Sequence, residues 1–147
     1  MREILFRAKR TDNGEWVEGY FVKGKWYLDE KEKYAILPID LCFYPHCEIN
    51  EWIEIDPETV RQYTGLTDKN GEKVFVGDII RCTKGRPHEV IWLKEYAGTY
   101  LGGMPAVYLT GLREGYAWTG KEEKIGNVFD NPELLKENED AYSRHDI

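Results

Sequence analysis

Cys42, His46 and Cys47 lie close together, and Cys82 and His88 form a second pair further along the chain. Cysteine and histidine are the ligand types of a tetrahedral zinc site. The spacing does not support one. There is no Cys-x-x-Cys pair, and four ligands would have to converge from two separate loops. Isolated cysteines of this kind read as small buried hydrophobes, so no metal and no cofactor is expected. Ser143, His145 and Asp146 supply the residue types of a hydrolase triad, but triads are assembled from distant, rigidly held segments. These three are nearly adjacent in a polar tail, and Ser143 is the only serine present. Carboxylates are plentiful. Glu15, Glu18, Asp29, Glu30, Glu48, Glu51, Glu54 and Asp56 fall mainly at turns and alternating strand positions, the pattern of a solvated acidic surface rather than of paired catalytic acids.

Asp68 and Asp78 stand apart, because each belongs to a turn. Thr67-Asp68-Lys69-Asn70-Gly71 and Val76-Gly77-Asp78 both lead into apolar, β-branched segments. An acidic side chain there bonds a nearby backbone N–H and fixes the turn. A ligand role in metal-assisted hydrolysis is the competing expectation. Gly65, Gly71 and Gly77 are closely spaced, but no Lys-Ser or Lys-Thr follows to complete a phosphate loop. One local basic cluster exists: Arg81, Lys84, Arg86 and His88, with Trp92 nearby. Cations beside a stacking aromatic form the pattern of a single-strand nucleic-acid platform. A solvated hairpin tip with Trp92 in the core is the plainer reading. The acidic C-terminal run Glu122, Glu123, Asp130, Glu133, Glu137, Glu139 and Asp140 reads as a solvated face, with nucleic-acid mimicry as the alternative.

Composition narrows the classes. The 147 residues carry a net charge of −7, with 41% apolar and 14% aromatic residues. A single domain of this size buries roughly 68–70% of its unfolded surface and needs neither disulfide nor metal to fold. The aromatic load argues for an ordered core. The negative balance removes a broad electrostatic footprint for nucleic acid. Three cysteines suit a reducing compartment. No run approaches a membrane span, and the start lacks a secretion signal, so a cytoplasmic protein is expected.

The elements that must position these residues are short strands. Ile4 to Lys9 alternates, Thr11-Asp12-Asn13-Gly14 signals a hairpin, and Trp16 to Val22 returns. Lys23-Gly24 predicts a second tight turn into Lys25 to Leu28. Tyr34 to Ile39 and Ile49 to Ile55 are further strands, the latter with Ile53 and Ile55 on one face and Trp52 on the other. Asp56-Pro57-Glu58 predicts a capped helical turn. Asp78 to Thr83, His88 to Leu93, Tyr96 to Leu101, Ala106 to Leu109 and Glu123 to Phe129 are strands, and Asn131-Pro132 opens a short C-terminal helix with Leu134 and Leu135 inward. Turns at intervals of about 8–12 residues suggest a small barrel or sandwich. The expected fold is mainly β: antiparallel strands in an N-terminal subdomain at 1–56, an SH3-like barrel subdomain with a closing helix at 57–137, and a flexible tail at 138–147, with one integrated domain as the alternative to the two subdomains.

The run Tyr63-Thr64-Gly65-Leu66-Thr67-Asp68-Lys69-Asn70-Gly71, continuing to Gly77-Asp78-Ile79-Ile80, resembles the central signature of the YopX family of phage and prophage proteins. The opening Ile4-Leu5-Phe6-Arg7-Ala8 and the closing Ile125-Gly126-Asn127-Val128-Phe129-Asp130-Asn131-Pro132 resemble its other anchors, so the resemblance spans residues 2 to 136. It implies a small, mostly β, oligomeric protein encoded by a phage or prophage, and it supplies no catalytic residues. Tyr63, Thr64, Gly65, Asp68, Asn70, Gly71, Gly77 and Asp78 are its signature positions, structural or binding in role. The expected function is a non-enzymatic binding or assembly protein. It would form a homo-oligomer, because aromatics on strands such as Trp16, Tyr20, Trp26, Tyr27, Tyr100, Tyr116 and Trp118 serve as interface anchors and sheet edges invite pairing. Its other partner would be an unidentified host or phage protein. An accessory nucleic-acid binder is the alternative, and a metal-assisted hydrolase the second.

Overall fold

The computed structural model describes residues 3–40, 52–93, 106–110 and 118–135, without the side chains at 92, 93 and 106–108. The zinc candidates Cys42, His46 and Cys47, the Ser143, His145 and Asp146 trio, the tail at 138–147 and the strand expected at Tyr96 to Leu101 fall outside the described residues. The chain is mainly β and antiparallel. Its strands are β1 (Phe6–Lys9), β2 (Trp16–Lys25), β3 (Glu32–Pro38), β4 (Ile53–Glu54), β5 (Arg61–Thr67), β6 (Lys73–Phe75), β7 (Asp78–Arg81), β8 (Pro87–Leu93), β9 (Ala106–Leu109) and β10 (Glu123–Asn127). Single 3-10 turns occupy Pro57–Thr59 and Pro132–Leu135. No helix among the described residues is long and apolar enough to cross a membrane.

Two compact units run Met1–Tyr63 and Thr64–Ile147, so the division lies within β5, a little beyond the 56/57 position expected. In the first unit the strand order is β4-β3-β2-β1, and the start of β5 pairs with β1 through Phe6↔Gln62 and Arg7↔Arg61. Directly opposed residues in antiparallel strands share a face. The pairs Ala8↔Val17 and Phe21↔Ile36 therefore build one apolar layer. Ala8, Ile36 and Ile55 are buried there, with Phe6, Val17, Phe21, Tyr34, Ile53 and Val60 packed against them. Phe21 sits between the rings of Phe6 and Tyr34, at 5.5 and 6.2 Å. The hairpin at Asp12-Asn13-Gly14 forms as expected, with Gly14 at φ 72° and Asn13 Oδ1 accepting from the Glu15 N–H.

The turn expected at Lys23-Gly24 does not form. β2 continues through Lys25, paired with Glu32. The reversal comes at Trp26 to Lys31, where the Trp26 N–H donates to Lys31 O and the Glu30 N–H to Trp26 O. The reason is ladder continuity. Val22↔Ala35 and Lys23↔Tyr34 keep their backbone groups paired, which an earlier turn would leave to solvent. Lys23 also lies over the Tyr34 ring and 3.5 Å from Glu32.

In the second unit, β6 flanks the far end of β5, and a four-stranded sheet has the order β10-β7-β8-β9. Its core gathers Val74, Ile80, Val90 and Leu109, with Leu66 and Trp118 against them. The SH3-like barrel expected from the sequence is not what the described strands form: the sheet stays open, with β10 and β9 as its edges. Closure requires those edges to pair in a staggered register, and among the described strands β10 pairs with β7 and β9 with β8, not with each other. The expected C-terminal helix is absent among the described residues; one 3-10 turn stands in its place. Asn131, expected as its cap, turns its Oδ1 back to the Asn127 N–H at 3.3 Å and crowds Gly126.

Candidate functional site

The signature residues of the second unit form a turn-fixing network. Asp68 Oδ1 accepts from the N–H groups of Asn70 and Glu72, at 2.9 and 3.0 Å. Its Oδ2 accepts from the Lys124 N–H at 3.0 Å. Burial alone would raise this carboxyl, but the three backbone donors and the nearby Lys124 charge override it and hold it below the ordinary carboxylate range. Asp78 Oδ2 accepts from the Phe75 N–H at 2.7 Å and lies 3.7 Å from Lys124 Nζ. Lys124 Nζ also donates to Lys73 O. The two signature aspartates thus meet through one lysine, which joins β10 to both turns. Thr64 closes the same region, donating from Oγ1 to Val74 O while accepting from the Leu66 N–H. Gly65, Gly71 and Gly77 hold φ of 87°, 78° and 92°, a left-handed backbone that glycine adopts without strain. Tyr63 is buried at the end of the first unit, with its N–H on Leu5 O, and Asn70 sits exposed at the tip of the turn. The acidic run expected as a solvated face is not one at Glu122. That residue is buried, accepting through Oε1 from Thr119 N–H and Oγ1 and through Oε2 from Gly120 N–H.

The basic cluster loses its histidine to the interior. His88 is buried, its Nδ1 2.6 Å from Thr110 O and its Nε2 3.3 Å from Cys82 Sγ. A carbonyl only accepts, so Nδ1 carries the proton and Nε2 accepts from the thiol. Burial, opposed by the Thr110 bond and aided by Arg86, holds His88 below its ordinary pKa. Arg81 donates across the turn to Gly85 O, Lys84 is exposed and Arg86 half-buried. Trp92 lies on β8, its side chain outside the description. Among the described residues no group of three or more His, Cys, Asp and Glu side chains could hold a metal ion.

A different surface carries exposed apolar chemistry. On the face of the first sheet opposite its core, Tyr20↔Leu37, Val22↔Ala35 and Gly24↔Lys33 stand in register. Gly24 and Ala35, the smallest of these, form the floor of a cleft of about 250 Å³. Val22, Leu37, Trp26 and Trp52 wall it, and Lys25 and Lys33 complete the lining. The indoles of Trp26 and Trp52 lie 6.4 Å apart, 36° off parallel. Both are more than a third exposed, and Tyr20 and Val22 beside them are exposed too. Lys33 Nζ is 3.9 Å from Glu54, a solvent-facing pair of small energetic weight. Trp16, further along this face, is different: Arg61, Lys9 and Arg7 crowd its ring at 4.3, 5.2 and 5.7 Å, and it is half-buried. Trp118 is half-buried with Nε1 donating to Thr67 O. Trp52 was not singled out from sequence, although alternation had set it opposite Ile53 and Ile55.

Residues 5–136 match the model of the YopX family, described as YopX protein. The fold is similar to the crystal structure of protein EF1440 from Enterococcus faecalis, at a TM-score of 0.52 and 24% identity, over 92% of this chain and 99% of that one. No curated protein matches. The family match covers the opening strand, both signature turns and the closing Asn-rich turn, and on that ground the chain belongs to the YopX family.

Proposed function

We propose that this chain is a non-enzymatic binding and assembly protein of phage or prophage origin, acting in the host cytoplasm as a homo-oligomer, with the β2–β3 face as its working surface. The observation that carries the proposal is the Trp26–Trp52 cleft: two large aromatic walls left in water over a Gly24–Ala35 floor. Exposed clustered aromatics cost solvation in a lone chain and mark sites where a partner removes them from water. The acidic residues that could have supported hydrolysis are otherwise engaged. Asp68 and Asp78 are buried, with both oxygens of Asp68 and Oδ2 of Asp78 on backbone donors, which favours their turn-fixing role. The nucleic-acid alternative loses His88 as a surface contact, because that ring is enclosed. The test is Trp52→Ala in a concentration series followed by light scattering. Wild type should associate at tens of micromolar, and the variant should associate at least about tenfold more weakly. Equal association of the two would refute this face as the working surface.

A further inference from the structure

We infer that the occupant of the cleft is the β2–β3 hairpin tip of a second copy of the chain, exchanged reciprocally across a two-fold axis. This rests on the assembly reading above and names its partner. The tip is Trp26-Tyr27-Leu28-Asp29-Glu30. Tyr27 and Leu28 are 82% and 70% exposed, an apolar knob standing in water beside the cleft it does not fill. Asp29 and Glu30 follow it, both exposed.

The cleft offers the complement. Its walls are Trp26, Trp52, Val22 and Leu37, suited to a tyrosine and a leucine, and Lys25 and Lys33 complete the lining; the weak, solvent-facing Lys33–Glu54 pair at 3.9 Å gives way when a tip carboxylate enters. Asp29 and Glu30 of the tip are opposite in charge to Lys25 and Lys33 of the cleft, and apart from Trp52 the cleft is built from the same hairpin as the tip. A two-fold axis near the hairpin end therefore forms the contact twice, the isologous arrangement that closes a dimer.

The tip is shaped before it binds. Asp29 Oδ1 accepts from the Lys31 N–H at 3.0 Å, and Trp26 N–H to Lys31 O closes the loop. Glu30 holds φ at 57°, a left-handed conformation that glycine would adopt without strain. A fixed tip loses little freedom on insertion.

Sedimentation equilibrium of the full chain tests this with two variants, Tyr27→Glu with Leu28→Glu on the tip, and Trp52→Ala in the cleft. Far-ultraviolet circular dichroism checks that each is folded. Each variant alone should have its dissociation constant raised at least about tenfold. Mixed in equal amounts they should associate more tightly than either alone, because the intact tip of one meets the intact cleft of the other. If Trp52→Ala destroys the fold, the charge reversal Lys25→Glu with Lys33→Glu replaces it. Association should then return on mixing with a copy carrying Asp29→Lys and Glu30→Lys. A tip variant that associates like wild type while the cleft variant dissociates overturns this inference and leaves the assembly reading standing. A mixture no tighter than its components also overturns it. Wild type that stays monomeric overturns both.

Discussion

Asp68 shows how much one carboxylate can hold. Three backbone donors from Asn70, Glu72 and Lys124 end on it in a buried site. Asp68→Asn keeps one acceptor oxygen and sets an amide N–H₂ against a donor. Chemical denaturation at pH 7 should show a loss of about 2–3 kcal/mol. Because the folded Asp68 carboxyl lies below its unfolded value of about 3.9, its contribution is complete above that value and is lost as pH falls through the folded one. The variant should therefore lose less stability than wild type when denaturation is repeated toward pH 3. His88 has the same sign at a higher range. Its folded pKa is lowered, first by burial, so its contribution is complete above about pH 6.5 and drains away as pH falls below it. Glu89 runs the opposite way, raised by burial, and loses its contribution as pH rises through its folded pKa. Denaturation midpoints for His88→Gln, followed from pH 7.5 to pH 5, should fall less than those of wild type. An equal fall in the two would contradict a neutral His88 in the folded chain.

At the scale of elements, local chemistry was legible and distant partnership was not. Asp56 caps the Pro57–Thr59 turn through the Glu58 N–H, and Asp68 fixes its own turn, because both act within a few residues. Asp56→Ala should cost about 1 kcal/mol in thermal or chemical denaturation. Lys124 escaped notice for the opposite reason. The bond from Lys124 N–H to Asp68 spans 56 residues, and nothing in the local spacing announces it. The missed reversal at Lys23-Gly24 has the same origin: glycine permits a turn, but the paired β3 residues decide whether one is made. Gly19 illustrates the cost of ignoring a neighbour. A Cβ there would collide with Leu37 O and come within 2.9 Å of Ile36 Cγ2. Gly19→Ala should therefore destabilise by about 2 kcal/mol or more, whereas Gly24→Ala, with open space around it, should cost well under half that. Paired denaturation curves check the contrast.

For the molecule as a whole, the β class and antiparallel pairing followed from alternation and turn residues, while closure and termination did not. Whether a sheet closes depends on how its edges meet, which strand propensity does not encode. The exposed aromatic cleft was half legible. Trp26 and Tyr27 stood out as aromatics on a strand, but the cleft needed Trp52, brought beside them by the β3–β4 pairing of Ile36 with Ile53. The two parts of the chain divide the labour. Signature aspartates and glycines shape the second unit, and the first presents large apolar side chains to water. Sedimentation velocity of the unmodified chain, run from low micromolar to hundreds of micromolar, tests that division most directly. A species at a whole multiple of 17.2 kDa that grows with concentration is the predicted result; a single 17.2 kDa species throughout would contradict it.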